Sequence, residues 1–229
     1  MRSCLFCFAI FLFFNLSTGF SSGYVYKGLC AFDDIDCLKK ELKAYDAELN
    51  KAYLYYLAKE KNNKLKQAEL LWIKYKEADC YFWGQEVQAG NFSDYISSVC
   101  LINRTITRTS ELRDPVFYGE CAYKSNDKNR LACLKEEIKR YNKELDRIYK
   151  SAKDKLLLNA EQAWIKFKEA DCLYKEFISD FMEKETVYYA CLMNRTKDRV
   201  NVSIASFNLY DWFLDSSFEE KDCSKSLKI

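Results

Sequence analysis

The 229-residue chain repeats itself, and the repeat constrains the fold more tightly than any other feature of the sequence. Ala68-Glu69-Leu70-Leu71-Trp72-Ile73-Lys74-Tyr75-Lys76-Glu77-Ala78-Asp79-Cys80 returns as Ala160-Glu161-Gln162-Ala163-Trp164-Ile165-Lys166-Phe167-Lys168-Glu169-Ala170-Asp171-Cys172. The match extends outward: Glu48-Leu49-Asn50 answers Glu144-Leu145-Asp146, and Cys100-Leu101-Ile102-Asn103-Arg104-Thr105 answers Cys191-Leu192-Met193-Asn194-Arg195-Thr196. A chain of this length suits one large domain or two small ones, and the repeat decides for two modules of one design. The single proline, Pro115, lies between the halves, where the residue before it avoids the helical region and must end a helix. We therefore expect a first module over residues 24–113, a linker over 114–120, a second module over 121–206 and a tail over 207–229.

Apolar residues recur at helical spacing in both halves: Leu38, Leu42, Tyr45, Leu49, Ala52 and Tyr56 in the first, Leu134, Ile138, Tyr141, Leu145, Ile148 and Ala152 in the second. A second helix carries Leu65, Ala68, Trp72 and Tyr75, with Trp164 and Phe167 as counterparts, and a third carries Val99, Ile102 and Ile106. The fold class that follows is all-α, two tandem disulfide-stapled three-helix modules. Short polar connections favour antiparallel neighbours within each module.

The chain opens on Met1-Arg2-Ser3, an apolar run from Cys4 to Phe14 and small residues from Ser17 to Gly23, the order of a cleaved secretory signal peptide over residues 1–23. Its apolar run is too short for a stable membrane span. Of the eleven cysteines, Cys4 and Cys7 belong to this leader; Cys30, Cys37, Cys80, Cys100, Cys121, Cys133, Cys172, Cys191 and Cys223 remain. In an exported chain such cysteines mean disulfides. In an up-down-up bundle the four cysteines of each module gather at one end, so we expect Cys80 to join Cys100 and Cys30 to join Cys37, with Cys172–Cys191 and Cys121–Cys133 as the counterparts. Crossed pairing of Cys37 with Cys80 is the alternative. Cys223 is left over, which suggests a disulfide-linked dimer or a free thiol.

Several function classes have no foothold. The 36 basic and 34 acidic residues nearly cancel, so there is no general electrostatic case for nucleic acid or an anionic membrane surface. No histidine is present to serve as general base or to complete a zinc site, the one CxxC, Cys4-Leu5-Phe6-Cys7, falls in the leader with none after it, and no phosphate loop or nucleophile motif occurs. We expect no enzyme, no metal and no cofactor.

The pattern of Asp46-Ala47-Glu48-Leu49-Asn50 with Tyr53, then Ala68-Glu69-x-x-Trp72 with Lys76-Glu77-Ala78-Asp79-Cys80, then Cys100-Leu101 and Thr105-x-x-Arg108 resembles the LprI-type lysozyme-inhibitor domain. Leu145, Tyr149, Ala160, Glu161, Trp164, Lys168, Cys172, Cys191, Thr196 and Arg199 repeat it in the second half. The resemblance implies a secreted or periplasmic protein with a protein partner, and the family name implies that the partner is a lysozyme. The alternative is a cell-envelope scaffold or adaptor without inhibitory activity.

Most motif residues read as structural. Trp72 and Trp164 lie on an apolar stripe, Glu69 and Lys76 suit a solvated or capping role, and Thr105, Arg108, Thr196 and Arg199 are placed to bond across the bundle. The segment from Asp79 to Asp94 differs from the rest of the chain, combining acids with aromatics and carrying no lysine or arginine, and its counterpart from Asp171 to Glu185 is also net acidic. Aromatic anchors among acids suit a basic protein surface. The expected binding residues are therefore Tyr81, Phe82, Trp83, Glu86, Tyr174, Glu176, Phe177 and Asp180.

Overall fold

In the computed structural model, the described residues are 30–31, 34–59, 63–86, 91–113, 119–124, 126–150, 154–179 and 183–223, with side chains described except at 91, 92, 120 and 204–223. They form α1 (Ile35–Leu57), α2 (Lys64–Glu86), α3 (Asn91–Arg113), a 3₁₀ turn (Gly119–Tyr123), α4 (Asp127–Lys150), α5 (Lys155–Ile178) and α6 (Lys184–Cys223). The leader, the core of the linker and Asp180 lie outside the described residues. Helix starts are capped by carboxylates: Asp34 accepts a hydrogen bond from the Cys37 amide at 2.8 Å, and Asp154 accepts from the Leu156 and Leu157 amides. Helix α3 ends at Arg113, just ahead of Asp114-Pro115. Helix α6 runs without a break past residue 206 to Cys223, so no change of secondary structure marks the start of the expected tail.

The disulfides are Cys30–Cys37, Cys80–Cys100, Cys121–Cys133 and Cys172–Cys191, the uncrossed pairing in both modules. Around Cys80–Cys100 the backbones of α2 and α3 approach closely. Ser93 donates to the Gly84 carbonyl at 2.7 Å, Ser97 donates to the Cys80 carbonyl at 3.2 Å, and a Cβ at position 84 would fall 2.0 Å from the Ser97 hydroxyl. A Cβ at position 84 would also lie 3.2 Å from the Ser93 carbonyl oxygen, so a side chain there would turn the Ser97 hydroxyl away from its bond to Cys80 and press the two backbones slightly apart.

Within each module the third helix is central: α1 and α2 both lie along α3, and α4 and α5 both lie along α6. α1 meets α2 through side chains, Leu49 and Ala52 with Leu65 and Trp72 and Asp46 with Lys76, and makes its more extensive contact with α3. Leu38, near the start of α1, clusters with Val99 and Ile102, in the first half and at the middle of α3. The physical reason is that the inner face of α2 is taken by the other module, since α2 and α5 make the most extensive helix–helix contact in the chain. They run antiparallel: Tyr75 stacks on Phe167 at 5.8 Å midway along both, and Lys64 at the start of α2 lies over Phe177 near the end of α5.

Two small clusters, Cys30/Leu38/Val99/Ile102/Ile106 and Cys121/Leu134/Ala190/Met193, belong to single modules. The largest cluster belongs to both, with Leu49, Leu65, Trp72, Tyr75 and Leu112 packed with Leu145, Trp164, Phe167, Tyr174 and Val200. Trp72 and Trp164 are each 3% exposed, in the core as the apolar stripe implied.

A buried ionic lattice crosses this shared core. Arg108 on α3 reaches Glu69 of its own module at 3.0 Å and Asp171 of the other at 2.7 Å. Arg199 on α6 returns the exchange, reaching Glu161 of its own module at 3.2 Å and Asp79 of the other at 2.6 Å. Arg104 and Arg195 bind the second oxygens of Asp79 and Asp171 through their Nε and terminal nitrogens. Asp79, Asp171 and Arg108 are 0% exposed. Glu69 is 8% exposed and ion-paired, so the expected solvated role is replaced by a buried one. Thr105 and Lys76 bond Asp46 on α1, which ties the first helix into the same lattice.

Because the main core is common property, the modules should unfold together. Trp164→Ala should remove about 3–5 kcal/mol by leaving a cavity, and calorimetry should show one transition in both the parent and the variant. Two resolved transitions, with only one displaced by the substitution, would contradict the shared core.

Candidate functional site

Two places concentrate polar chemistry: the inter-module lattice and the two disulfide-linked ends. In the lattice, burial alone would raise the Asp79 carboxyl, but Arg104 and Arg199 outweigh it and hold Asp79 below the usual carboxylate range. Asp171 is likewise lowered, with burial opposed by Arg108, Arg195 and Lys175. Burial prevails at three other groups: it raises Glu69 despite Arg108, raises Asp198 to about 6, and lowers Lys175 to about 8 while its ammonium donates to the Glu111 carbonyl at 2.6 Å. Tyr75 is pushed to about 12 by burial. These charges are closed against one another inside the protein and hold the modules in register. They offer no open face to a substrate. The sulfurs beside Asp79 and Glu41 that would make cation clusters are tied in disulfides and offer no thiolate.

At the ends, the residues expected to bind a partner divide by helical register. Tyr81 is 54% exposed, while Phe82 is 1% exposed. Phe82 falls on the stripe of Tyr75 and Asp79 and points into the core, and Tyr174, its counterpart beyond Phe167 and Asp171, is also 1% exposed. Phe82 and Tyr174 are therefore corrected to core positions, a placement the spacing already carried. Trp83 is half-buried with its ring edge-on to Phe82 at 4.7 Å.

Glu86 is half-buried at the end of α2, and its carboxyl is raised first by burial and then by Asp154, the cap of α5 from the other module. The first end thus combines Tyr81, Trp83 and Glu86 of one module with a carboxylate of the other. At the opposite end Glu176 is half-buried and Phe177 is exposed beneath the Lys64 ammonium, 5.4 Å from its ring centroid. The charge at the two ends differs accordingly: an acid from the facing module approaches the first, a lysine the second.

A model of the family described as lysozyme inhibitor LprI matches residues 32–112 and again 121–202. The chain belongs to the LprI lysozyme-inhibitor family. Both copies of the LprI domain thus fall on the two three-helix modules, and the matched segments contain every residue of the arginine–carboxylate exchange. An uncharacterized protein of Rhizobium meliloti (strain 1021) is 32% identical over 94 residues, covering 34% of this chain and 68% of that protein. No solved structure matches. The four disulfides of this LprI pair suit an oxidising, extracytoplasmic compartment. Among the described residues no helix is long and apolar enough to cross a membrane.

The composition of the first segment pointed to the ends, but the partner module's contribution did not show in sequence. Asp154 and Lys64 lie far along the chain from the residues they approach, and only the antiparallel α2/α5 pairing brings them there. The same holds for Arg108 with Asp171: their identity in both repeats was a signal of structural importance, without saying that the partner lay across the module boundary.

The titrating groups give a signed expectation. The raised Asp198 and Glu69 carboxyls bind protons more readily in the folded state, so stability should rise as pH falls from 7 towards 4; for Asp198 the gain is at most about 3 kcal/mol. The lowered Asp79 and Asp171 act oppositely, and stability should be lost as pH falls below about 4. Melting temperatures across this range should show a maximum on the acid side, and Asp198→Asn should flatten the limb between pH 5 and 7.

Proposed function

We propose that the protein is an exported, non-catalytic binding protein that inhibits a lysozyme, using the first disulfide-linked end as its principal contact. The observation that carries this reading is that α2 of a family member bears Tyr81, 54% exposed, within two turns of the end where its Glu86 meets Asp154 of the other module. An exposed aromatic anchor near a helix end that carries acids of both modules suits a basic protein surface, and lysozymes are commonly basic. Residues 1–23 would direct export and be removed, leaving the mature chain in the periplasm or outside the cell. The second end, where Lys64 covers Phe177, would contribute less.

The scaffold or adaptor reading is favoured by a different feature, the exposed apolar side chains Leu70, Ile73, Ile165 and Leu173 along α2 and α5. Cys223 would serve such an assembly as an interchain disulfide, since the eight module cysteines are already paired.

The test is the rate of cell-wall lysis by c-type, g-type and i-type lysozymes with and without the oxidised mature protein. Inhibition of at least one type is expected. Tyr81→Ala combined with Glu86→Ala should weaken it roughly tenfold or more, with the loss growing smaller as salt is raised. Undiminished lysis by all three types would remove the inhibitor reading and leave the scaffold.

A further inference from the structure

The two modules set the same lysine on the same indole but do not give it the same counter-charge. In the first, the Lys76 ammonium of α2 lies over the Trp72 ring, 4.5 Å from its centroid, and meets a carboxylate oxygen of Asp46 on α1 and the Thr105 hydroxyl on α3, each at 3.4 Å. In the second, Lys168 of α5 lies over Trp164 at 4.3 Å, so ammonium and indole are set as before. The match of Glu48-Leu49 with Glu144-Leu145 puts Asn142 of α4 at the position of Asp46, and the acid is gone. Lys168 forms no ion pair and no side-chain hydrogen bond among the described residues. Glu161 and Glu169 attract it from a distance, yet Glu161 is bonded to Arg199, and burial outweighs both and lowers the Lys168 ammonium below the usual lysine range.

We propose that Lys168, seated on the Trp164 indole, binds a carboxylate brought from outside the chain, which takes the place that Asp46 fills in the first module. The proposal goes beyond the lysozyme reading and does not depend on it. The first module shows what chemistry the place accepts: one singly charged carboxylate on one ammonium, a short-range charge-assisted contact. The wall behind it is preserved, since Thr105 and Thr196 are both 0% exposed and donate to the Leu101 and Leu192 carbonyls at 2.8 and 2.7 Å.

The place is also reachable. The Asp46 side chain is 41% exposed while that of Lys76 is 12% exposed, so the acid sits on the solvent side of an inward lysine. Asn142 is likewise exposed, and a carboxylate can come in over α4 without moving a helix. The asparagine suits the exchange: an aspartate there would repel an incoming acid, whereas an amide offers it a second donor. A half-buried ammonium left with only an aromatic face is incompletely compensated, and an incoming carboxylate supplies the missing charge.

The experiment follows the lysine side chains of the oxidised mature protein by NMR with ε-carbon labelling, the two signals being identified from Lys168→Arg and Lys76→Arg. Sodium acetate is titrated against sodium chloride at equal ionic strength, and tetraglutamate is the second probe. The Lys168 signal should move with acetate and saturate with a midpoint on the order of 10–100 mM, as expected for one charge-assisted hydrogen bond, while chloride leaves it in place and Lys76 does not respond. Asn142→Asp should abolish the Lys168 response, and Asp46→Asn should confer one on Lys76; circular dichroism checks that both variants remain folded. Movement with acetate assigns the place to free organic acids, and movement with tetraglutamate alone assigns it to an acidic side chain of a protein partner. A Lys168 signal that moves with neither probe, moves equally with chloride, or still responds in Asn142→Asp would overturn the proposal, whatever the lysis assay shows.

Discussion

Two arginines, Arg108 and Arg199, each pair with a carboxylate of their own module and a fully buried aspartate of the other, and the arrangement of the helices depends on that exchange. A buried aspartate without a cation would be costly, so neither module can present its inner α2 or α5 face to solvent with the lattice intact. The exchange also explains why α2 makes its most extensive contact with α5: the charged and apolar inner face of each middle helix is completed only by the other repeat. What looks in sequence like two small domains in series is therefore, physically, an internal pseudo-dimer with one main core.

Much of this fold was legible in the sequence, and the reason is local physics. Leu38, Leu49, Ala52, Leu65, Ala68, Trp72 and Ile102 are spaced at helical period, and all are buried. That the four cysteines of each module meet at one end follows from the helix order, and the choice of Cys30–Cys37 with Cys80–Cys100 over the crossed pairing is made by the structure. The ionic lattice was less legible, because Asp79 and Asp171 gain their decisive partners from residues far away in the chain. Phe82 and Tyr174 were read by composition, as aromatics in an acidic segment, when their register with Tyr75 and Phe167 already assigned them to the core. Composition says what a segment could bind, and register decides which of its side chains can reach a partner.

The repeat gives the molecule an approximate two-fold axis, and the departures from it bear most directly on function. Tyr75 faces Phe167 and Trp72 answers Trp164 at the symmetric centre, where packing constrains both copies alike. Towards the ends the copies diverge: Trp83 stands where the second module has the buried Lys175, and Glu86 stands where it has Ile178. The acidic, aromatic character thus survives at one end and is diluted at the other. A symmetric centre that holds the fold and asymmetric ends that meet partners is a division of labour a duplicated domain can reach by a few surface substitutions.

The central claim is that the cross-module pairs bind the two repeats into one cooperative unit. A double-mutant cycle on Arg108 and Asp171, with Arg108→Ala, Asp171→Ala and both together, followed by denaturant unfolding, tests it most directly. Each single variant should lose about 3–5 kcal/mol, with the double variant losing far less than their sum, because removing one partner strands the other's buried charge. Losses that simply add would mean that Arg108 and Asp171 are not coupled, and that the modules are held together by something other than the exchange.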